Sequence, residues 1–352
     1  MAAEHETSRP SSAGAMPTMR DIAEHLGVSR QLVSLVLREA PGPSRASRER
    51  VLQAAQELGY RPNVSAQLLR QRRTFNIGLM IALSNPFEVR FAERFMTRAA
   101  EHGFSVVVGL HTDERPTDVV VSELIAQRVE AITAFNPDPA APAVQDAIAR
   151  VPVVWLGEKA PNALVDNVHV DEAHGLRQVI KHLYSLGHRC ITYVGNERES
   201  VGRDRTAAYR AAMIGAGLEA HMAIMVSGWG EEDGAAAART WLDQNPQQRA
   251  TALVSCSDSN AVGLLAVFAR EGVRVPAEVS VVGFDDSYVA SLSYNALTSV
   301  RQDVELTVDA AIATILKRLS ETPGNPSEVL TPAVIVARSS TGPALSTTEP
   351  SG

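Results

Sequence analysis

The sequence predicts a small all-α module near the amino terminus, followed by a larger α/β body with two lobes. In the module, two short helical patterns meet at Gly27, which is the spacing of a helix-turn-helix motif. In the body, apolar strands alternate with amphipathic helices from Asn76 onward, a pattern typical of parallel sheets with helices on both faces. The change of pattern near Asn76 therefore marks a domain boundary.

Length and composition indicate a globular chain of two or three domains. The chain has 352 residues, of which 45% are hydrophobic and 5% aromatic, and this balance suits α/β packing. Cys190 and Cys256 lie in apolar runs without the spacing of a disulfide or metal framework, so we expect both to be buried. The polar, acid-containing start and the lack of a long apolar run predict a cytoplasmic protein without a membrane span.

The charge is distributed unevenly along the chain. Residues 18–73 hold ten arginines, no lysine and five acidic residues, whereas the whole chain has a net charge of −7. A basic module on an acidic body is the pattern expected when the phosphates of a nucleic acid are bound. A solvated charged face would not explain why the positive charge is confined to one end.

The first helix of the module has a local start signal. We expect residues 1–17 to form a disordered tail, because they are rich in Ser, Ala, Pro and Gly. Thr18 and Asp21 form a capping box that predicts a helix beginning near Met19.

The second helix carries the residues most suited to reading DNA. Ser29 is its predicted N-cap, which leaves Arg30 and Gln31 on the exposed first turn. Arginine and glutamine can form bidentate pairs with guanine and adenine, so this helix is a candidate for the major groove. The alternative is an ordinary helical hairpin whose polar face happens to carry these two residues.

A third helix and a short segment complete the module. The third helix should begin after Ser44 and end at Gly59, with its apolar side facing the first two helices through Val51, Leu52, Ala55 and Leu58. The segment 63–70 follows Pro62 and has room for about two helical turns, which are not stable alone in water. We therefore expect it to be disordered without DNA and to fold on DNA.

The body contains two sets of alternating strands and helices. The strand sequences of the first set are IGLMIAL, FSVVVGL, AITAF and VPVVWLG, and those of the second set are HRCITYVG, AIMVSG, TALVSCS and VSVVGFDD. In the second set we expect helices at 204–216, 231–245 and 260–271. The sequence from Ser339 onward is polar, and we expect 343–352 to form a loose tail.

These motifs together resemble a known family. TMRDIAEHLGVSRQLVSLVL, SRASRERVLQAAQELGYRPN and NVSAQLLR occur in the module, and SNPF, HLYSLGHRCITYVG, SDSNAVGLLAVFAREGVRVPAEVSVVGFDD and LTSVRQD occur in the body. Over about residues 18–342 the chain closely resembles the lactose-repressor/galactose-repressor (LacI/GalR) family of bacterial transcription regulators. The resemblance implies a helix-turn-helix head, a hinge helix and a two-lobed periplasmic-binding-protein-like core.

The resemblance also implies domain boundaries. The DNA-binding domain would span 18–61, the hinge helix and linker 62–74, and the core, which also mediates dimerisation, 75–342. Because the chain of this family crosses between the lobes three times, lobe one is expected at about 75–170 and 300–328, and lobe two at about 171–299 and 329–340.

DNA contacts follow from the resemblance, residue by residue. Arg30 and Gln31 match base-reading positions, and the positions that match backbone-positioning residues are Thr18, Met19, Ser29, Ser34 and Asn63. Leu35 stands where the family commonly has arginine, so we expect an apolar contact there, such as one with a thymine methyl group. Leu69, with Gln67 nearby, matches a hinge leucine that wedges into a minor-groove step; packing within the hinge is the alternative.

Effector contacts are implied at the carboxyl ends of strands, between the lobes. The matching residues are Phe87, Arg205, Trp229, Asp258, Asp285 and Gln302, which offer polar groups for sugar hydroxyls and aromatic faces for a sugar ring. The alternatives are that Asp285 is an exposed acid at a strand end and that Trp229 packs in the core.

Two positions of the expected effector site depart from the family's common pattern. Ser257 stands where asparagine often precedes the aspartate, and Gly157 with Glu158 stands where many relatives have Asp-Arg. These departures leave the identity of the ligand open.

The sequence therefore predicts a transcriptional repressor that binds a near-palindromic DNA operator as a homodimer. It should respond to a small-molecule effector, which we expect to be a sugar or related polyol. No cofactor, metal or membrane partner is expected, and tetramer formation stays open. An exported sugar-binding protein is the first alternative, but no signal peptide is seen. An α/β enzyme is the second, but we find no G-x-S-x-G, Walker, G-x-G-x-x-G or H-E-x-x-H motif.

Overall fold

The computed structural model describes residues 17–60, 73–160, 165–320 and 324–345. The chain divides into two compact units, one up to Arg73 and one from Thr74. The predicted tail up to residue 16, the segment 63–70 and the end of the predicted loose tail lie outside the described residues.

The head is a bundle of three helices, and their bounds are Met19–Leu26 for α1, Arg30–Leu37 for α2 and Arg45–Glu57 for α3. The predicted caps are confirmed, because the hydroxyls of Thr18, Ser29 and Ser44 each accept a hydrogen bond from a backbone N–H of the helix that follows. Gly27 ends α1 with a φ of 62°, a left-handed conformation that glycine adopts without steric cost.

The core of the head comprises Ile22, Val33, Val36 and four further buried apolar residues. The prediction that Leu52 faces this core was wrong, since that side chain is 54% exposed. On α3 the buried positions are Val51, Ala54 and Ala55. They follow the i, i+3, i+4 spacing of one helix face, and Leu52 lies outside that face.

The second unit contains two parallel sheets of six strands, each covered by helices. The strands of the first sheet are β1 Asn76–Ile81, β2 Ser105–Leu110, β3 Ala131–Phe135, β4 Val153–Gly157, β5 Asp166–Val170 and β11 Glu328–Thr331. The strands of the second sheet are β6 Ile191–Gly195, β7 Met222–Val226, β8 Ala252–Ser255, β9 Ser280–Asp285, β10 Thr298–Gln302 and β12 Ala333–Val336. The strand orders are β11-β5-β4-β3-β1-β2 and β12-β10-β9-β8-β6-β7, with only β12 antiparallel to its neighbour among the described pairs.

Nine helices of the described residues connect and cover these strands. They are α4 Pro86–Glu101, α5 Thr117–Ala126, α6 Pro142–Arg150, α7 Glu172–Ser185, α8 Ser200–Gly215, α9 Glu231–Leu242, α10 Asp258–Arg270, α11 Tyr288–Ser291 and α12 Val304–Ser320. Buried apolar clusters lie on both faces of the first sheet and on both faces of the second.

The chain crosses between the two lobes three times, between β5 and α7, between β10 and α12, and between β11 and β12. The second sheet includes β10 through Gln302, and the first sheet includes β11 through Thr331. The second and third crossings therefore each lie about three residues later than the expected boundaries at 299/300 and 328/329.

The structure corrects three further expectations. Helix α8 begins at Ser200, so Arg205 lies in its second turn and does not start it. Cys190 is exposed, and only Cys256 is buried. The end of the chain is not loose over its described part, because Ser340 is 3% exposed and Ala344 donates from its backbone N–H to the Leu186 oxygen across 2.8 Å.

Candidate ligand cleft and nucleic-acid interface

A cavity of about 920 Å³ lies between the two lobes of the second unit. Its walls include the segments that follow β1, β3 and β4 in lobe one and β6 to β9 in lobe two. Open α/β sheets bind ligands at this end of their strands, and the volume lies within the range of small-molecule sites. The six residues that the sequence suggested for an effector all line the cavity: Phe87, Arg205, Trp229, Asp258, Asp285 and Gln302.

Arg205 is the buried cation of the cavity wall. Its Nε donates to Glu172 Oε1 across 2.8 Å, and its Nη1 donates to the backbone oxygen of Cys256 across 2.6 Å. The guanidinium carbon lies 3.8 Å from the centre of the Phe284 ring. Burial alone would lower the pKa of Arg205, but the carboxylates of Glu172 and Asp285 raise it. Arg205 is therefore a fixed positive charge already balanced by the protein.

Asp285 ends β9 with its carboxylate in the cavity wall. Its Oδ1 accepts from Gln302 Nε2 across 2.6 Å and lies 3.8 Å from Arg205 Nη2. Burial raises the pKa of Asp285 above its ordinary value, although Arg205 and Gln302 act in the opposite direction. The φ of Asp285 is 110°, a left-handed value that costs backbone energy outside glycine and is often found at functional sites.

Asp258 uses both carboxylate oxygens inside the protein. Oδ2 accepts from the backbone N and the Oγ of Ser287 across 2.6 and 2.8 Å, and Oδ1 accepts from Ser299 Oγ across 2.6 Å. Burial, and next the charge of Asp285, raise the pKa of Asp258. Its carboxylate thus ties the start of α10 to the turn after β9 and to β10, and it supports the cavity wall.

Aromatic side chains face the cavity from each lobe. Phe87 is 5% exposed and meets Phe135 edge to face, with 6.0 Å between the ring centres. Trp229 is half-buried, its Nε1 donates to Glu199 Oε2 across 2.9 Å, and its ring lies 5.6 Å from the Arg205 guanidinium carbon. Aromatic faces of this kind can cover the apolar C–H surface of a ligand.

Glu88 is a buried acid of lobe one that sequence reasoning missed. It lies in the first turn of α4, where its carboxylate accepts from the backbone N of Ala82 across 2.7 Å and from Asn85 Nδ2 across 3.1 Å. Burial raises the pKa of Glu88 to about 8, and the charge of Asp285 adds to this effect. The signal in the sequence was Asn85 three residues before an acid, but that pattern indicates only a helix start.

Glu158 is a second buried acid, at one of the two departures from the family pattern. Gly157 has a φ of 88°, and a Cβ there would collide with the side chain of Asn136. The glycine allows the chain to turn after β4, so that Glu158 lines the cavity. Oε1 of Glu158 accepts from Trp155 Nε1 across 3.2 Å, and burial raises its pKa to about 7.

Ser257, at the other departure, has a local structural role. It is the N-cap of α10, where its hydroxyl accepts from the backbone N of Asn260 across 3.1 Å. The same hydroxyl donates to the backbone oxygen of Trp229 across 2.7 Å. Ser257 therefore joins the segments that carry Trp229 and Asp258.

In the head, the start of α2 presents the side chains expected to read DNA. Ser29 Oγ accepts from the backbone N of Leu32 across 3.2 Å, and Arg30 and Gln31 are exposed on the turn that follows. A capped helix with free side chains on its first turn has the geometry that major-groove reading requires.

The other residues expected to contact DNA have mixed positions. Thr18 is exposed at the start of α1, Met19 packs partly against the head core, and Ser34 and Leu35 are half-buried on α2. Asn63, Gln67 and Leu69 lie outside the described residues.

The described residues contain neither a membrane-spanning helix nor a cluster of metal ligands. No helix there is long and apolar enough to cross a membrane. In the same parts of the chain, no group of three or more His, Cys, Asp or Glu side chains is placed to hold a metal ion. His188, for example, is buried and shares hydrogen bonds with Thr251 and Ser280.

Two families match the chain. Residues 18–63 match the family described as bacterial regulatory proteins, lacI family, and residues 180–341 match the periplasmic binding protein-like domain. The transcriptional regulator CelR of Thermobifida fusca is 33% identical over 304 residues, which cover 82% of this chain and 88% of CelR.

Two solved structures are also similar to the chain. A lac repressor dimer bound to operator and the anti-inducer ONPF has a TM-score of 0.81 and 28% identity, covering 93% of this chain and 100% of that one. A complex of the transcriptional regulator CelR with cellobiose has a TM-score of 0.68 and 28% identity, covering 92% of this chain and 99% of that one.

Proposed function

The chain belongs to the lacI family of bacterial regulatory proteins, and from that premise we propose that it is a cytoplasmic transcriptional repressor that binds a near-palindromic DNA operator as a dimer and is controlled by a small molecule in the interlobe cleft. One observation carries the proposal: the same chain has a lacI-family head and a two-lobed body that encloses a cavity lined by charged and aromatic residues. A head alone would bind DNA without control, and a body alone would bind ligand without a genetic output.

The head is the DNA-binding domain of this proposal. Arg30 and Gln31 would contact bases. The contacts with the phosphate backbone, which position the helix, would come from Thr18, Met19, Ser29, Ser34 and Asn63. Leu35 would make an apolar contact, and Gln67 with Leu69 would act at the minor groove. The module would span 18–61 and the hinge 62–74.

The core is the effector-binding and dimerisation domain, with the cavity as effector site. Phe87 and Trp229 would face the apolar side of a sugar or related polyol, while Arg205, Asp285 and Gln302 would bind its polar groups. Asp258 would hold their loops in place through its bonds to Ser287 and Ser299. Cellobiose bound to the relative CelR supports a carbohydrate here.

A dimer is the physical expectation for such a head. One helix-turn-helix reads only a few base pairs, and two heads related by a two-fold axis on two half-sites provide the missing specificity. The similar lac repressor is a dimer on its operator.

Selection of bound sequences from random DNA tests the proposal. The full chain should enrich a near-palindrome with two half-sites, and a small molecule that stabilises the core against heat should change its affinity for that sequence. Enrichment of no common sequence, or a ligand that binds the core without any effect on DNA affinity, would contradict it.

A further inference from the structure

We propose that the effector carries a positive charge: it is a polyhydroxylated amine, an amino sugar, whose ammonium group lies between carboxylates that the two lobes bring to the cavity. This inference rests on the proposed function of the cleft as the effector site. The proposed function allows any sugar or polyol as the effector, and this inference restricts the effector to sugars with a positive charge.

The cavity has a strong excess of negative side chains. Among its lining residues, eight are Asp or Glu and two are Arg. Arg205 is already balanced by Glu172 at 2.8 Å and Asp285 at 3.8 Å, and Arg198 is exposed. A ligand that enters this space therefore meets more acidic than basic side chains, which favours a cation over an anion.

Two of these acids are buried and have an oxygen left for a ligand. Glu158 and Asp285 are each 7% exposed. Oε1 of Glu158 is used by Trp155, and Oδ1 of Asp285 is used by Gln302, while Oε2 and Oδ2 have no hydrogen-bond partner among the described parts of the chain. The protein therefore holds each carboxylate through one oxygen, and the other oxygen can accept a hydrogen bond from a ligand in the cavity.

The two acids come from opposite lobes, and acids of lobe two act on the carboxylate of Glu158. Glu158 of lobe one is opposed by Asp204 and Glu199 on or beside α8 of lobe two, with Arg203 as the one favourable charge among its named neighbours. Burial, followed by these charges, raises the pKa of Glu158 to about 7.

The same opposition occurs at a second place. Glu88 of lobe one is opposed by Asp285 of lobe two. An ammonium group beside Glu158 and Asp285 would favour the ionised forms of these carboxylates and offset the repulsion from neighbouring acids.

The two other buried acids of the wall have their carboxylate oxygens occupied by the protein. Asp258 has its carboxylate filled by Ser287 and Ser299, and Glu88 accepts from Ala82 and Asn85. A neutral sugar would satisfy Glu158 and Asp285 with hydroxyls only, and it would leave the like charges unbalanced. A sugar phosphate would add to the repulsion.

A matched ligand panel tests the proposal on the full chain. Glucosamine, galactosamine and the β-1,4-linked glucosamine disaccharide are compared with their N-acetyl forms, with glucose, galactose and cellobiose, and with glucose 6-phosphate. Thermal stabilisation identifies binders near neutral pH, and tryptophan fluorescence gives their Kd. At least one amine should bind about tenfold more tightly than its neutral counterpart, and the phosphate should not bind.

Variants and pH separate charge from shape. Glu158→Gln should reduce the preference for the amine severalfold with little change for the neutral sugar, whereas Glu114→Gln, which removes an exposed acid outside the cavity, should keep the preference. The preference should shrink as the pH is lowered by one to two units, because the buried carboxyls then take up protons.

The outcomes distinguish this inference from the proposed function. If a neutral sugar binds and changes DNA affinity while no amine binds more tightly, the inference is overturned and the proposed function stands. A panel in which no amine stabilises the protein also counts against the inference. If an amine binds tightly but leaves DNA affinity unchanged, the charge class is supported and the regulatory role of the cleft fails.

Discussion

Gln302 Nε2 donates to Asp285 Oδ1 across 2.6 Å, where the neighbouring strands β10 and β9 end. Gln302 is the last residue of β10, and α12 of lobe one begins at Val304, so this bond lies beside a crossing between the lobes. A ligand that binds Asp285 therefore acts next to a segment that connects both lobes, which is where a change in their relative position can be controlled.

Asp285→Asn is expected to remove the effector response and leave the basal DNA affinity intact. Asparagine keeps the shape and tolerates the left-handed backbone of this position, but it removes the charge that binds ligand donors. The loss should be about 1.5 to 3 kcal/mol of effector affinity. Titration calorimetry and operator binding with and without effector measure it, and a variant that responds normally would show that Asp285 does not contact the effector.

Asp258→Ala is expected to act on stability. The change leaves the backbone N of Ser287 and two buried hydroxyls without their acceptor, and such losses cost about 1 to 3 kcal/mol for each unsatisfied group. Urea unfolding of the ligand-free protein should show a total loss of a few kcal/mol. Asp243→Ala, at an exposed helix end, should stay within about 0.5 kcal/mol of the parent.

The Asp258 result has a clear contrary outcome. If Asp258→Ala keeps the stability of the parent and loses effector binding, then the carboxylate contacts the ligand directly, and the hydrogen bonds to Ser287 and Ser299 are of minor importance.

The stability of the core is expected to fall as the pH rises from about 5 to above 8. Burial raises the pKa of Glu88 from an ordinary 4.5 to about 8, so the folded protein binds a proton that the unfolded chain releases. The stabilisation is complete below the unfolded pKa and is lost as the pH passes through the folded pKa, with a slope up to about 1.4 kcal/mol per pH unit for one proton.

Glu88→Gln tests the source of this pH dependence. Urea unfolding at several pH values should show a smaller decline for Glu88→Gln than for the parent, while Glu114→Gln should follow the parent. Burial raises the pKa of Glu158 to about 7, so Glu158 should cause part of the decline in stability that remains in Glu88→Gln. Parallel curves for the parent and Glu88→Gln would show that Glu88 is not the group that titrates.

Local signals were predictable from the sequence because their chemistry is local. The hydroxyls of Thr18 and Ser29 bond to backbone N–H groups two or three residues away, so spacing alone predicts the caps. The six residues expected in the cleft also line one cavity, in part because parallel strands carry their carboxyl ends to one edge. That placement shows proximity, and their contacts with an effector stay predictions.

Contacts between segments that are far apart in the sequence were not predictable in the same way. The helix expected at 204–216 begins at Ser200 and includes Gly202, where a Cβ would collide with the backbone oxygen of Asn196. Glu88 was not singled out in the sequence, and no sequence pattern indicated that Glu158, although expected near the effector, is buried. Burial of a carboxylate depends on distant segments, which no local pattern reports.

Arg30→Ala and Gln31→Ala are expected to relax the DNA sequence preference at defined positions of each half-site. Both side chains are exposed on the first turn of α2, and the loss of a bidentate base contact costs about 1 to 3 kcal/mol of discrimination. The measurement is a comparison of operator variants with single base changes, repeated at two salt concentrations. Arg50→Ala removes one positive charge from an exposed site on α3. Any loss of DNA affinity in this variant should be the same for all sequences, because a phosphate contact has no base preference. If Arg30→Ala and Gln31→Ala both keep the sequence preference of the parent while Arg50→Ala changes it, then α2 does not lie in the major groove.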